Sequence, residues 1–166
     1  MLTEGTGYKM GGIYRHFDTK MDLAKAAFKY SYEVQIKANL QLDDSLNPKE
    51  KLLKIISNYK KMIIRPKIAG GCPLLNTALE VDDTNKEFRQ LAKVFVEEVI
   101  GIIASILEDG KSTGLFKADI DSREEANYLF STFEGAIMLG QLTRNGCVVL
   151  NIFDNAVKYL EMKVFS

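Results

Sequence analysis

A glycine-rich stretch near the start of the chain is the first place where residue spacing could support chemistry. Gly5, Gly7 and Gly11 follow the pattern G-x-G-x-x-x-G, which is close to the loop that cradles the pyrophosphate of a dinucleotide. That loop needs a hydrophobic strand before it and a βαβ unit around it. Only residues 1–4 precede Gly5, and no βαβ pattern follows. The sequence therefore disfavours a dinucleotide site.

The remaining reactive side chains do not assemble into a catalytic set. His16 is the single histidine, so a Ser-His-Asp arrangement would depend on it alone. Glu80, Asp82 and Asp83 form an acidic cluster before a predicted helix, where helix caps and solvated charge are the simpler explanation than a metal site. The basic segment 49–67 fits the solvated face of an amphipathic helix, with an anion-binding or DNA-flanking role as the alternative. We expect no enzyme activity, no cofactor and no metal.

Composition limits the classes of protein that remain. Lys plus Arg and Asp plus Glu both number 22, so the net charge is zero and any contact with nucleic acid must be local. A hydrophobic fraction of 46% over 166 residues predicts one globular domain rather than disorder. No apolar run is long enough for a membrane span, and no signal segment is evident. Cys72 and Cys147 lack a C-x-x-C partner, which fits the cytoplasm, although one disulfide between them stays open.

Helix signals predict an all-α chain with no strand. Thr19 with Asp22, and Asn47 with Glu50, have the spacing of capping boxes. Apolar residues then recur at helical spacing, and Gly110 with Gly114 is expected to stop the longest helix. The predicted helices cover 19–43, 48–65, 72–83, 86–109, 122–144 and 148–163.

The predicted helix 122–144 carries two neighbouring apolar stripes, whereas a helix that packs only on its own domain needs one. The first stripe is Ala126, Leu129, Phe130, Phe133, Ala136 and Ile137, and the second is Tyr128, Thr132, Gly135, Met138, Leu139 and Leu142. The second stripe favours a homodimer formed with the helix 148–163. A core helix wrapped by its own chain is the alternative. The residues predicted at the dimer interface are Gly135, Met138, Leu139, Leu142, Ile152 and Phe153.

The stretch GGIYRHFDTKMDLAKAAF, residues 11–28, resembles the exit of the helix-turn-helix in the TetR family of bacterial transcriptional regulators. The matching residues are Gly12, Ile13, Tyr14, His16, Phe17, Lys20 and Leu23. The resemblance extends through the helix order of nearly the whole chain. It implies that residues 1–18 are the remnant of a DNA-binding helix-turn-helix, with the end of its second helix and the recognition helix. Residues 19–166 would be the ligand-sensing and dimerisation domain.

The resemblance also implies which residues contact DNA. A recognition helix enters the major groove while nearby side chains bind phosphate. The predicted DNA-binding residues are Lys9, Gly12, Tyr14, His16 and Lys20. The family has a first helix and most of a second before this point, so operator binding is expected only where those helices are present. Lys9 and Met10 depart from the family's usual Ser and Lys, and these departures count against base readout by this helix.

The resemblance further implies an effector pocket inside the regulatory domain. The predicted lining is Tyr59, Met62, Cys72, Leu75, Asn76, Phe95 and Phe133, mostly apolar, which suits a small, mainly hydrophobic effector. No Lys or Arg is expected to be buried there, so a strongly anionic effector is not expected. Simple core packing is the alternative for each residue. The sequence thus predicts a cytoplasmic, dimeric TetR-like repressor without membrane contact. A member that dimerises or binds ligand without binding DNA is the alternative, and an enzyme on a helical bundle is the third.

Overall fold

The computed structural model describes residues 15–66, 68, 70–80 and 85–166. Over these ranges the chain forms six helices. Helix α1 runs continuously through Lys20–Ser31, a π-helical segment Tyr32–Lys37, and Ala38–Leu40. The others are α2 (Pro48–Ile64), α3 (Pro73–Glu80), α4 (Lys86–Ser112), α5 (Ser122–Thr143) and α6 (Gly146–Lys163). The one extended pairing within the described ranges is an isolated bridge between Phe116 and Phe165, so the all-α prediction is confirmed.

Both capping boxes predicted from the sequence are present. The backbone N–H of Asp22 donates to Thr19 Oγ1 at 3.1 Å, and that of Thr19 donates to Asp22 Oδ2 at 3.0 Å. Asn47 and Glu50 make the same reciprocal pair at 3.0 and 2.9 Å. These bonds satisfy backbone donors that have no partner inside the helix. They therefore set where α1 and α2 begin.

Two helix ends differ from the sequence prediction. Helix α1 stops at Leu40 instead of continuing to Asp43, because Asp43 Oδ1 accepts from the N–H of Ser45 at 2.9 Å and forms a turn that competes with the helix. Helix α4 passes through Gly110 and ends at Ser112. The stop comes at Gly114, whose φ of 72° is the left-handed conformation that glycine tolerates best.

The start of α4 agrees with the prediction at residue 86, whereas α6 starts two residues earlier than predicted. The N-cap of α4 is Asn85, whose side chain accepts from the N–H of Phe88 at 3.0 Å. Helix α6 begins at Gly146 because Asn145 caps it through the N–H of Cys147 at 3.0 Å. In both places the asparagine side chain accepts from a backbone N–H of the first turn, which is the usual role of an N-cap residue.

The core lies among α2, α4, α5 and α6. Helix α5 packs against α4 on one side and α6 on the other, and α2 contacts both α4 and α6. Aromatic rings connect the layers: the Tyr59 and Phe133 centroids are 4.7 Å apart, and those of Phe133 and Phe153 are 5.5 Å apart. Stacked or tilted ring pairs of this kind stabilise beyond the area they bury.

Helix α1 is attached to this bundle through α4. The Tyr32 ring stacks on Phe95 at 4.0 Å, and Phe28 lies 5.4 Å from both Phe88 and Phe95. The π-helical segment adds a residue to one turn of α1 and turns Tyr32, Gln35 and Ile36 inward. Such segments occur often at functional sites, and the sequence periodicity did not predict this one.

Candidate ligand cavity and candidate interface

An outer cavity of about 540 Å³ lies between the π-helical segment of α1 and the end of α2. The segment brings one polar and one apolar side chain to its wall, and the last turn of α2 supplies the opposite wall. The lining residues are Val34, Gln35, Asn39, Lys61, Met62, Ile64 and Arg65.

An inner cavity of about 230 Å³ adjoins the outer one and shares Gln35 and Met62 with it. Its other lining residues are Ile63, Pro66, Gly70, Gly71, Cys72, Ile137 and Gln141. A Cβ added to Gly71, where φ is 86°, would lie 1.8 Å from the Gln141 amide nitrogen. The positive φ favours glycine at this position, and the Gln141 side chain packs against it.

The two cavities have a mainly apolar lining with cations at one end. Gln35, Asn39 and Gln141 are the neutral polar groups, and Lys61 and Arg65 the charged ones. No carboxylate lines either cavity among the described residues. The joint surface can therefore hold an apolar body and can pair with negative charge at its outer end.

A buried polar pair stands behind the inner cavity. The thiol of Cys72 donates to Glu134 Oε1 at 3.1 Å. Glu134 Oε2 and the Tyr59 hydroxyl are buried and have no hydrogen-bond partner among the described residues. Burial raises the pKa of Glu134 to about 7 and raises the pKa of the Cys72 thiol well above its usual value. The thiol is thus held in its unreactive protonated form.

Two of the seven predicted pocket residues line a cavity. Met62 lines both cavities and Cys72 lines the inner one. Tyr59 and Phe133 are fully buried in the core behind Cys72, and Phe95 stacks on Tyr32 between α4 and α1.

The other two predicted pocket residues lie on α3. Leu75 is half-buried against the core. The side chain of Asn76 donates to the carbonyl oxygen of Gly70 at 2.6 Å, so it supports the loop that walls the inner cavity. The sequence interpretation missed Gln35, Lys61, Arg65 and Gln141. The one signal for Gln35 was a polar residue between the apolar Val34 and Ile36.

Helix α5 has one buried and one exposed apolar side. The whole first stripe, from Ala126 to Ile137, is buried in the core. In the second stripe, Leu142 is 76% exposed and Tyr128, Met138 and Leu139 are exposed as well. The alternative in which α5 is wrapped entirely by its own chain is therefore wrong.

The remaining predicted interface residues divide between surface and core. A Cβ added to Gly135 meets nothing within 4 Å, so this position faces open space. Ile152 is half-buried next to the core. Phe153 is 0% exposed and packs in the chain's own core, so its side chain is not available to a partner surface.

The predicted DNA-binding residues fall partly outside the described part of the chain. His16 and Lys20 are exposed, and Lys20 is the first residue of α1. Lys9, Gly12 and Tyr14, together with most of segment 1–18, lie outside the described residues.

The described residues bring together no group of three or more His, Cys, Asp or Glu side chains that could hold a metal ion. None of the helices there is both long enough and apolar enough to cross a membrane.

The described residues thus form an all-α bundle with a cavity beside α1 and an exposed apolar face on α5. The family model described as "Tetracyclin repressor-like, C-terminal domain" matches residues 48–149. That span is more than half of the chain, and it contains α2 to α5 and most of the cavity walls. The chain belongs to the TetR family of transcriptional regulators.

Individual relatives agree with this assignment. The chain is 26% identical over 138 residues to the fatty acid metabolism regulator protein of Bacillus subtilis (strain 168), covering 82% of this chain and 69% of that protein. It is 25% identical over 146 residues to the HTH-type transcriptional repressor DhaR of Mycobacterium sp. (strain GP1), covering 87% and 72%. The crystal structure of a TetR regulator from Chloroflexus aurantiacus J-10-FL superposes with a TM-score of 0.89 at 29% identity, covering 98% and 83%.

Proposed function

We propose that this TetR-family chain works as a homodimeric repressor that changes its hold on operator DNA when a small, mainly hydrophobic effector binds. The observation that carries the proposal is that Val34 and Gln35 of α1 line the outer cavity. Helix α1 follows directly on residues 1–18, which resemble the DNA-binding element of the family. A ligand in the cavity would therefore touch the helix that leads to DNA, and it can favour one orientation of that helix over another.

The homodimer is supported by the exposed stripe of α5. Tyr128, Met138, Leu139 and Leu142 form an apolar surface on one helix, which is typical of an interface between copies of a chain. Gly135 lies within this stripe with open space above it, so a partner helix can approach closely. Two copies of α5 and α6 would then form a four-helix interface.

The DNA contact is supported by exposed donors at the start of α1. His16 and Lys20 can donate to phosphate oxygens, which positions a protein without reading bases. Lys9, Gly12 and Tyr14 complete the proposed set. The net charge of zero provides no general attraction to DNA, so binding depends on these local contacts. A cytoplasmic location goes with this proposal, and the two free cysteines are consistent with it.

The test is fluorescence anisotropy with the DNA upstream of the gene. The protein used is this chain extended by the residues that any in-frame codons before residue 1 encode. Lys20→Ala should weaken binding to specific and unrelated DNA alike and lower the salt slope by about one. The matched control is Lys29→Ala, which removes another exposed lysine from α1 and should bind as wild type does.

Two results would count against the proposal. Equal affinity of the Lys20→Ala and Lys29→Ala proteins would remove Lys20 from the DNA contact. If the protein encoded by the complete reading frame binds no fragment of the upstream region, the alternative is favoured: a family member that dimerises or binds ligand without binding DNA.

A further inference from the structure

We infer that the effector is a single-chain anionic amphiphile, with its anionic head between Lys61 and Arg65 and its apolar chain directed past Met62 toward Ile137. The inference rests on the proposed function, because it names the ligand class of the same cavity. It follows from the charges at the outer end, the apolar path behind them and the absence of carboxylates from the lining.

The outer end of the cavity presents two cations, Lys61 and Arg65. Lys61 is in the last turn of α2 and Arg65 follows directly on that helix, and both line the outer cavity. Neither has an ion-pair partner among the described residues. The neighbouring Lys60 differs, because its Nζ is 2.9 Å from Asp154 Oδ1. A carboxylate or phosphate head can therefore pair with both cations without displacing a partner among the described residues.

The path behind these cations is apolar. Val34 and Ile64 line the outer cavity, and Ile63 and Ile137 line the inner one. Met62 stands between the two cavities, and its unbranched, flexible side chain can move aside for an apolar chain. The outer volume of about 540 Å³ lies within the range of roughly 300–1,000 Å³ that is typical of small-molecule sites.

The charges around the cavities favour an anion over a cation. Glu134 is the nearest buried carboxyl, but it stands behind Cys72, whose thiol already donates to it. Burial raises the pKa of Glu134 to about 7, so the far wall carries no fixed negative charge in mildly acidic buffer. The sequence expectation against an anionic effector considered only buried cations, whereas Lys61 and Arg65 stand at the exposed end.

The test compares ligands that share a chain and differ only in the head group. Dodecanoate, dodecyl phosphate, dodecanol and dodecyltrimethylammonium are titrated calorimetrically below their micelle concentrations. At least one of the two anions should bind about tenfold more tightly than dodecanol, equivalent to about 1.4 kcal/mol, and the cation should bind weakest. High salt should narrow the gap, because the cations are exposed. Preference for carboxylate or for phosphate identifies which head group the natural ligand carries.

Matched variants then assign the effect to the two cations. The double variant K61Q/R65Q should lose about tenfold in anion affinity and keep its affinity for dodecanol. The control K54Q/K158Q removes two exposed lysines outside both cavities and changes the net charge equally. It should bind every ligand as wild type does.

The outcomes separate the two levels of the argument. Equal affinity for the anions and dodecanol, or an equal loss of anion affinity in both double variants, would overturn the inference that the effector is anionic. The proposal of a hydrophobic effector site would still stand. Absence of a calorimetric signal and of a thermal shift with all four ligands would contradict both this inference and the effector site itself.

Discussion

Burial raises the pKa of the Glu134 carboxyl into the neutral range, which couples its ionisation to folding. In the folded chain its pKa is about 7, against 4.5 in the exposed state, because burial penalises the charged form. The folded protein therefore keeps its proton at pH values where the unfolded chain has lost it. The free energy of unfolding must fall as the pH rises from about 4.5 to above 7.

The variant Glu134→Gln removes this titration and can still accept the bond from Cys72. Between pH 4.5 and 8 the wild type should lose up to about 3 kcal/mol of unfolding free energy relative to the variant. Urea denaturation across that pH range measures the difference. Glu124→Gln, on the exposed side of the same helix, is the control. Parallel wild-type and Glu134→Gln profiles would mean that Glu134 is solvated in the folded chain.

At the scale of one helix, Gly110 and Gly101 of α4 make a natural pair. A Cβ at Gly110 would lie 2.0 Å from the Phe116 ring, whereas one at Gly101 meets nothing within 4 Å. Gly110→Ala should destabilise the protein by about 1–3 kcal/mol through overpacking. Gly101→Ala should stabilise it by up to about 1 kcal/mol through helix propensity. Thermal unfolding at equal protein concentration compares them, and the reverse order would show that Phe116 moves aside freely.

The starts of α1 and α2 were predictable from the sequence because their signals are local. Thr19 and Asn47 cap α1 and α2 through backbone groups three residues away. Helix ends were less predictable. Gly110 was expected to stop α4, but the helix passes through it, and glycine is needed there because a Cβ would meet the Phe116 ring. The π-helical segment had no sequence signal, because helical periodicity gives the face of a helix but not a local change of its winding.

The same limit explains the candidate site. Apolar spacing correctly indicated that the end of α2 and the start of α3 face inward, so Met62 and Cys72 were among the predicted residues. It did not indicate that α1 and α2 diverge and leave space between them. Gln35, Lys61 and Arg65 became site residues only through that separation, which depends on how the two helices pack on the rest of the bundle.

At the scale of the whole molecule, Gly135 gives a direct test of the dimer. Gly135→Glu puts a charge in the exposed stripe of α5 without meeting any atom of the same chain near its Cβ. We expect the wild type to sediment as a dimer and this variant as a folded monomer, because an unpaired charge in an apolar interface is costly.

Gly101→Glu is the matched control, since Gly101 is also a helical glycine whose Cβ would meet open space. It should remain a dimer with unchanged helix content by circular dichroism. A monomeric wild type at micromolar concentration, or a Gly135→Glu protein that still dimerises, would exclude the stripe from the interface.

The π-helical segment gives α1 one residue more than an α-helical turn would contain. If ligand contact with Gln35 were to rewind the segment, the Lys20–Ser31 half would shift by about 1.5 Å and rotate by about 100° relative to Ala38–Leu40. Phe28 in that half and Tyr32 at the start of the π-helical segment pack on α4, so a full rotation would break their ring contacts. A partial rotation would strain these ring contacts and move Lys20.

Spin-label distances between positions 29 and 54, with and without ligand, would detect such a screw motion, and unchanged distances would exclude it. Helix α1 would then transmit ligand binding as a rotation about its own axis rather than as a translation.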